Sequence, residues 1–237
     1  MKQILGAIRK AVEDFNLIND GDKIAVGVSG GKDSVTLLYG LKLFQHFSPV
    51  KYELEAISLT LGFDDFDLTP IKEFCSKIEV PYTIKETQIA KVVFDVRKEK
   101  NPCSLCAKMR RGALYEAVKE RGCNKVALGH HADDAIETLF LSMLYSGRIK
   151  TFKPKSYLSR TDLHLIRPMV YIKEHQIIGA AKRHDIPTVK SPCPADKNTK
   201  REEMKQLLKT IYKEIPTSKD KILTAIQNKD QLGLWFE

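Results

Sequence analysis

Three groups of residues in this 237-residue sequence have the types and spacing to do chemistry. The first is Ser29-Gly30-Gly31-Lys32-Asp33-Ser34, directly after the apolar run KIAVGV (Lys23 to Val28) and before a helix-like stretch. A glycine turn between strand and helix lets backbone approach an anion closely. Several N–H groups converge there, and the helix N-terminus adds partial positive charge. Ser29 and Ser34 contribute hydroxyls and Lys32 a full charge. The string is not a Walker P-loop, since the spacing differs and Asp33 stands where Ser or Thr is required. The second group is Cys103-Ser104-Leu105-Cys106, just before a predicted helix, together with Cys193 held between Pro192 and Pro194. A single C-x-x-C suits a redox dithiol, half a zinc site or part of an iron–sulfur site, and all three stay open at this point. The third group is Gly129-His130-His131-Ala132-Asp133-Asp134, past the apolar run Lys125 to Leu128. That is the carboxyl edge where parallel α/β sheets place their sites, although Asp at such a position also caps helices.

Five cysteines with no export signal argue against a disulfide framework. Cys75, on an apolar helix face, and Cys123, in a turn before a strand, read as small buried hydrophobes. Arg110 and Arg111 follow Cys106 on the same predicted helix and suit phosphate or RNA contacts.

The elements that must position these groups alternate strand-like and helix-like, which predicts an α/β fold with a parallel sheet flanked by helices. Strands are expected at Lys23 to Val28, Tyr52 to Leu61, Tyr82 to Lys85, Lys125 to Leu128 and His164 to Arg167. Helices are expected at Gln3 to Asn16, Ser34 to Phe47, Thr69 to Ile78, Cys106 to Arg121, Asp133 to Tyr145, Lys173 to His184, Thr199 to Tyr212 and Ser218 to Asn228. With 43% hydrophobic residues the chain can bury a substantial core, and no apolar run reaches the length of a membrane span. The charged start, Met1 to Lys10, does not resemble a secretory signal, so the expectation is a cytoplasmic protein with no membrane partner.

Charge is distributed unevenly. Between Arg148 and Lys221 there are 18 Lys/Arg against 8 Asp/Glu, while the remainder is nearly balanced at 21 against 22. A basic excess of this kind is the footprint of a nucleic-acid platform, or simply a solvated surface. The texture change predicts a core over 1–147 and a basic, mainly helical C-terminal part over 148–237.

Taken together, SGGKDS on its strand–helix junction resembles the PP-loop of the N-type ATP pyrophosphatases. The longer run resembles one family among them, the tRNA 2-thiocytidine synthetases (TtcA-type), relatives of the tRNA 2-thiouridine synthetases. The likeness rests on Asp14-Phe15-Asn16, Gly21-Asp22, SGGKDS, the C-x-x-C with Arg110-Arg111-Gly112, and Ala127-Leu128-Gly129-His130-His131-Ala132-Asp133-Asp134. It continues with Thr138-Leu139-Phe140-Leu141, Ile166-Arg167-Pro168, and Cys193 followed by Asn198 and Arg201. The pattern departs at Thr60, where relatives often carry an acid.

The resemblance implies an adenine nucleotide alpha hydrolase-like fold and an enzyme that splits ATP to AMP and pyrophosphate. It would adenylate the C2 oxygen of a tRNA pyrimidine, most simply an anticodon-loop cytidine, and replace that oxygen with sulfur. It implies ATP on Ser29, Gly30, Gly31, Lys32, Asp33, Ser34, Gly129 and His130, with Mg²⁺ at Asp33. It further implies a [4Fe-4S] cluster on Cys103, Cys106 and Cys193, its fourth iron open to sulfur, and Asp133 handling protons or orienting the activated base. Candidate tRNA contacts are Arg110, Arg111, Lys150, Lys153, Lys155 and Arg160. Partners are tRNA, a sulfur donor (a cysteine desulfurase or free sulfide) and, as an open alternative, a second copy of the chain. Two other readings compete. One is a PP-loop enzyme without a cluster, like a tRNA lysidine synthetase or an amide-forming ligase. The other is a non-catalytic RNA-binding module with structural zinc.

Overall fold

The computed structural model describes residues 1–63, 66–97, 102–194 and 199–228. Among the described residues six strands form one sheet: β1 (Asp22–Gly27), β2 (Tyr52–Thr60), β3 (Tyr82–Glu86), β4 (Lys125–Ala127), β5 (Lys155–Leu158) and β6 (Leu163–Ile166). Their order is β3-β2-β1-β4-β6-β5. Every pairing is parallel except β5 with β6, so the expected parallel sheet carries one antiparallel edge. The helices are α1 (Lys2–Phe15), α2 (Lys32–Phe44), α3 (Thr69–Lys77), α4 (Pro102–Glu120), α5 (Ala132–Ser146), α6 (Glu174–Arg183), α7 (Lys200–Glu214) and α8 (Ser218–Gln227). Among the described residues no helix is long and apolar enough to cross a membrane.

The chain winds outward from β1 to β3 on one side and resumes at β4 on the other. The order therefore reverses between β1 and β4, and a doubly wound sheet leaves its ligand crevice at that point, outside the carboxyl ends of the two strands. SGGKDS follows β1 and Gly129-His130-His131 follows β4, so the topology brings two groups 100 residues apart in sequence to one crevice.

Burial explains the elements. In α1, Ile4, Ile8, Ala11 and Val12 fall on one face, which packs with Leu37, Leu41 and the β1 residues Ile24 and Val26. The helix stops at Asn16, which takes the left-handed conformation that Asn tolerates at a helix end. On the other face of the sheet, Ala117 and Val118 of α4 pack with Ala25, Ile57 and Val126.

At the opposite end of β1 lies a buried ion pair. Asp22 and Lys125, 4% and 2% exposed, meet at 2.6 Å. The Asp22 carboxylate also accepts from Asn124 Nδ2 at 2.8 Å and Asn19 N at 2.6 Å, and Lys125 donates to Leu17 O at 2.9 Å. Asp22→Ala leaves a buried ammonium without its counter-charge, and we expect a loss of about 3–5 kcal/mol of unfolding free energy in urea titrations. A loss under about 1 kcal/mol would show that Lys125 finds water instead.

The contacts divide the chain into two compact units, Met1–His131 with Lys153–Asp196, and Ala132–Phe152 with Lys197–Glu237. This differs from the expected division at 147/148. Residues 155–166 form the β5–β6 hairpin that extends the sheet at β4, so they belong with the first unit despite their basic character. By its contacts α5 belongs with α7 and α8, where Ile136, Met204 and Leu208 form a small core lined by Phe140, Ile211 and Leu223. Charge surplus is a property of composition and does not track contacts.

Candidate functional site

In the first unit, the turn after β1 is braced from within. Gly30 holds φ +82°, open to glycine at little cost. Ser34 Oγ accepts from Ser29 N at 3.1 Å and donates to Gly31 O at 3.0 Å, while Ser29 Oγ accepts from Gly31 N at 3.4 Å. The serine hydroxyls thus shape the turn in this state. Lys32, Asp33 and Ser34 form the first turn of α2, whose N–H groups have no intrahelical acceptor. Backbone packing against β4 is tight: a Cβ on Gly129 would lie 3.0 Å from the carbonyl of Asp33 and from Ser34 N. Gly129 is required there for close approach rather than for its dihedral freedom.

Lys32 Nζ lies 3.2 Å from Asp33 Oδ2 and 3.1 Å from Glu174 Oε1, the first residue of α6. Burial disfavours the charged amine, but Asp33 and then Glu174 outweigh it and raise the Lys32 pKa above its ordinary value. Asp33 Oδ1 is a buried atom with no hydrogen-bond partner among the described residues, and His131 Nε2 stands 3.8 Å from it. A carboxylate oxygen with its lone pairs unused beside a phosphate-binding turn suits a hard divalent cation such as Mg²⁺.

At the end of β4, His130 Nδ1 accepts from Arg167 Nε at 3.1 Å, which leaves the ring proton on Nε2. Arg167 is itself fixed by donating to Lys153 O at 2.6 Å. Burial lowers its pKa, and Tyr115 on α4 works against that shift. Arg167 was visible in the sequence only as part of a motif, without this role.

The cysteine pair does not precede a helix: α4 begins at Pro102, so Cys103 and Cys106 lie within its first turns, three residues apart and on one face. Proline at a first helical position is a start signal that the sequence carried. Cys193 belongs to the same unit. Its loop is stitched to the glycine turn, with Val189 N donating to Gly30 O at 2.8 Å, and Cys193 N donates to Ser191 Oγ at 3.3 Å. Cys103 is exposed, and Cys106 and Cys193 are half-buried. Burial pushes the Cys106 thiol up in pKa. The Arg110 guanidinium opposes this, and the Cys193 and Cys103 thiols add to the rise, so both lie within electrostatic reach of Cys106. Among the described residues no three His, Cys, Asp or Glu side chains are drawn tightly enough to grip a metal ion as they stand. The thiols are neighbours rather than a closed cage, and as a soft donor set they fit iron–sulfur or zinc chemistry. Cys75 and Cys123 are buried, and burial pushes each up to about 11.

The candidate tRNA contacts differ in state. Arg110, Arg111, Lys153 and Arg160 are exposed in the first unit, and Lys150 is exposed in the second. Lys155 is half-buried and donates to Asn16 O at 2.5 Å at the C-terminus of α1. Burial, then Lys125, lowers its pKa, with Asp22 opposing. Lys155 thus has a structural use that its sequence neighbourhood does not reveal. Thr60 braces the loop after β2, where Thr87 Oγ1 donates to its carbonyl at 2.7 Å.

In the second unit, Asp133 and Asp134 stand in the first turn of α5. Asp133 forms a short ion pair with Lys219 of α8. Asp134 accepts from Arg201 of α7 at 3.1 Å, and Arg201 also reaches Glu137 at 3.2 Å. Arg201, quoted above for its place after Cys193, holds this helical unit together, while Asn198 lies outside the described residues.

Comparison with known proteins places these features in context. The PP-loop domain family matches residues 2–211. A tRNA-cytidine(32) 2-sulfurtransferase from Geobacter sulfurreducens is 39% identical over 230 residues, covering 96% of this chain and 90% of the relative. A U34-tRNA thiolase from Methanococcus maripaludis, solved with its [4Fe-4S] cluster, superposes with a TM-score of 0.77 at 25% identity, covering 95% of this chain and 77% of that one. An NH3-dependent NAD synthetase from Campylobacter jejuni subsp. jejuni shares the fold, with a TM-score of 0.53 at 18% identity over 95% of this chain and 90% of that one.

Proposed function

This chain belongs to the PP-loop family, within its tRNA 2-thiocytidine synthetases, and from that premise we propose that it replaces the C2 oxygen of an anticodon-loop cytidine in tRNA with sulfur. ATP-dependent thiolation of tRNA is the activity of the group. The observation that carries the finer reading is the crevice at the β1/β4 reversal. There the phosphate-binding turn carries an Asp33 oxygen with no hydrogen-bond partner among the described residues, and the Cys193 loop is tied to that turn.

The N–H groups at the start of α2 and the Lys32 ammonium take the pyrophosphate end of ATP, and Asp33 would hold Mg²⁺ beside it. The C2 oxygen attacks the α-phosphorus, and pyrophosphate leaves with the bond's electron pair. This step matters because a carbonyl oxygen is a poor leaving group until it is made a phosphoester. Sulfur then adds at C2, and AMP departs with the former carbonyl oxygen. His130, locked by Arg167 with its proton on Nε2, offers a hydrogen-bond donor to the nucleotide. By the family resemblance Asp133 would handle protons or orient the activated base; within its own helical unit it is ion-paired with Lys219. Cys103, Cys106 and Cys193 would hold a [4Fe-4S] cluster, which supplies an iron open to sulfur. A cysteine desulfurase or free sulfide is the source of that sulfur.

Arg110, Arg111, Lys150, Lys153 and Arg160 are the proposed contacts to tRNA phosphates, whose strength falls as salt rises. Lys155 is a weaker candidate because its ammonium already serves Asn16. The rival reading, a PP-loop enzyme without a cluster, gives no use to Cys103 and Cys106 on one face of α4 or to the Cys193 loop in the same unit.

The test is nucleoside mass spectrometry of bulk tRNA from cells with and without the gene. One thionucleoside, 2-thiocytidine, should vanish and return with the wild-type copy. An unchanged thionucleoside profile would overturn the assignment.

A further inference from the structure

The contact between Lys32 and Glu174 joins residues 142 apart in sequence. Lys32 is the one ammonium in the phosphate-binding turn, yet it is bracketed by two carboxylates at 3.2 and 3.1 Å. One ammonium therefore lies against two carboxylates at the place where a polyanion must enter. Asp33 has a separate use for its second oxygen. Glu174 has a separate source of stability, since it is the first residue of α6, where the helix N-terminus favours an anion without help from Lys32. Its charge thus stays supported when the lysine turns away. The lysine side chain is 30% exposed and Glu174 20%, so the pair sits at the mouth of the crevice rather than in the core.

We propose that Glu174 is the resting counter-ion of Lys32: the pair opens when the phosphates of ATP take the ammonium, and closes again to help pyrophosphate leave. This rests on the reading of SGGKDS as the phosphate-binding turn. Glu174 acts through Lys32 and is a positioning residue. Its carboxylate repels the incoming phosphates and competes with them for the same three N–H donors, which weakens ground-state binding and hastens product release.

The experiment is calorimetric titration of the reconstituted holoprotein with Mg-pyrophosphate, for wild type, Glu174→Gln and Glu174→Asp. Removing one charge several ångströms from the phosphates should tighten binding about tenfold in Glu174→Gln. Glu174→Asp, which keeps the charge, should remain close to wild type. In steady-state thiolation, Glu174→Gln should lower the KM for ATP and also lower kcat, as release of pyrophosphate slows. A purely structural role predicts the reverse in binding, with looser binding and a lower Tm. Unchanged or weaker pyrophosphate binding by a folded Glu174→Gln overturns the proposal. If that variant does not fold, the ¹³C carboxylate resonance of Glu174 in the wild type, assigned by its displacement in Glu174→Asp, decides. It must shift on adding pyrophosphate, and a fixed resonance overturns the pair exchange. Wild-type protein that binds neither ATP nor pyrophosphate would instead count against the phosphate-binding turn itself.

Discussion

Asp33→Ala is expected to abolish ATP-dependent thiolation, by at least about a hundredfold to a thousandfold, with the fold and the iron content retained. The carboxylate lies at the start of α2, with one oxygen on Lys32 and the other buried and unpartnered among the described residues. Removing it takes away the group proposed to hold Mg²⁺ against the phosphates and leaves the turn's internal serine bonds in place. The fold should be spared because the side chain is only partly buried and the serine bonds that brace the turn do not involve it. Two measurements check this, pyrophosphate release in the presence of tRNA and the 2-thiocytidine content of tRNA in a complemented strain. Thiolation at the wild-type rate would sink the assignment of Asp33 and, with it, the PP-loop chemistry. Asp33→Asn separates charge from shape: it keeps the volume, loses the metal affinity, and should be as inactive as alanine.

The second large effect concerns the thiols. Replacing Cys103, Cys106 or Cys193 by serine should strip or destabilise the cluster and stop sulfur transfer, while Cys75→Ser and Cys123→Ser should retain both. The ligand set proposed for the cluster has only three protein thiolates, so loss of any one leaves too few to hold the iron. The two remaining cysteines sit in apolar packing with their thiols pushed up to about 11, so neither supplies a thiolate readily at neutral pH. Their serine variants bury a hydroxyl in place of a thiol, which costs about 1–3 kcal/mol of stability without touching the iron. Anaerobic reconstitution, followed by iron analysis and visible absorbance, reads the outcome directly. Full iron retention in Cys193→Ser, or its loss in Cys123→Ser, would overturn the ligand set. Cys193 is the sharper test, because its place depends on a loop fastened to Gly30 and not on helix spacing.

The α/β alternation, the strand before the glycine turn, the helix after it and the motif order were legible in the amino-acid sequence. Each is written over a short window, where periodicity, Gly and Pro act locally. The burial of Cys75 and Cys123 was legible for the same reason, from their apolar or turn settings. The π-helix at Lys91–Val96 and the antiparallel strand β5 were not. KSYL is four residues long and half exposed, and it becomes a strand only because β6 lies alongside it.

What tertiary structure alone decided is how these pieces converge. Reversal of strand order between β1 and β4 brings SGGKDS to Gly129-His130-His131, and the Val189–Gly30 bond carries the Cys193 loop to the same turn. Lys32 meets Glu174, Arg167 sets the tautomer of His130, and Lys155 turns inward to Asn16. The division of the chain follows sheet and helix contacts and not the onset of basic residues. Sequence therefore determined which chemical groups exist and which short segments present them. Their partners follow from long-range packing, because an ion pair or a close backbone approach is selected by the whole core and leaves no periodic trace along the chain.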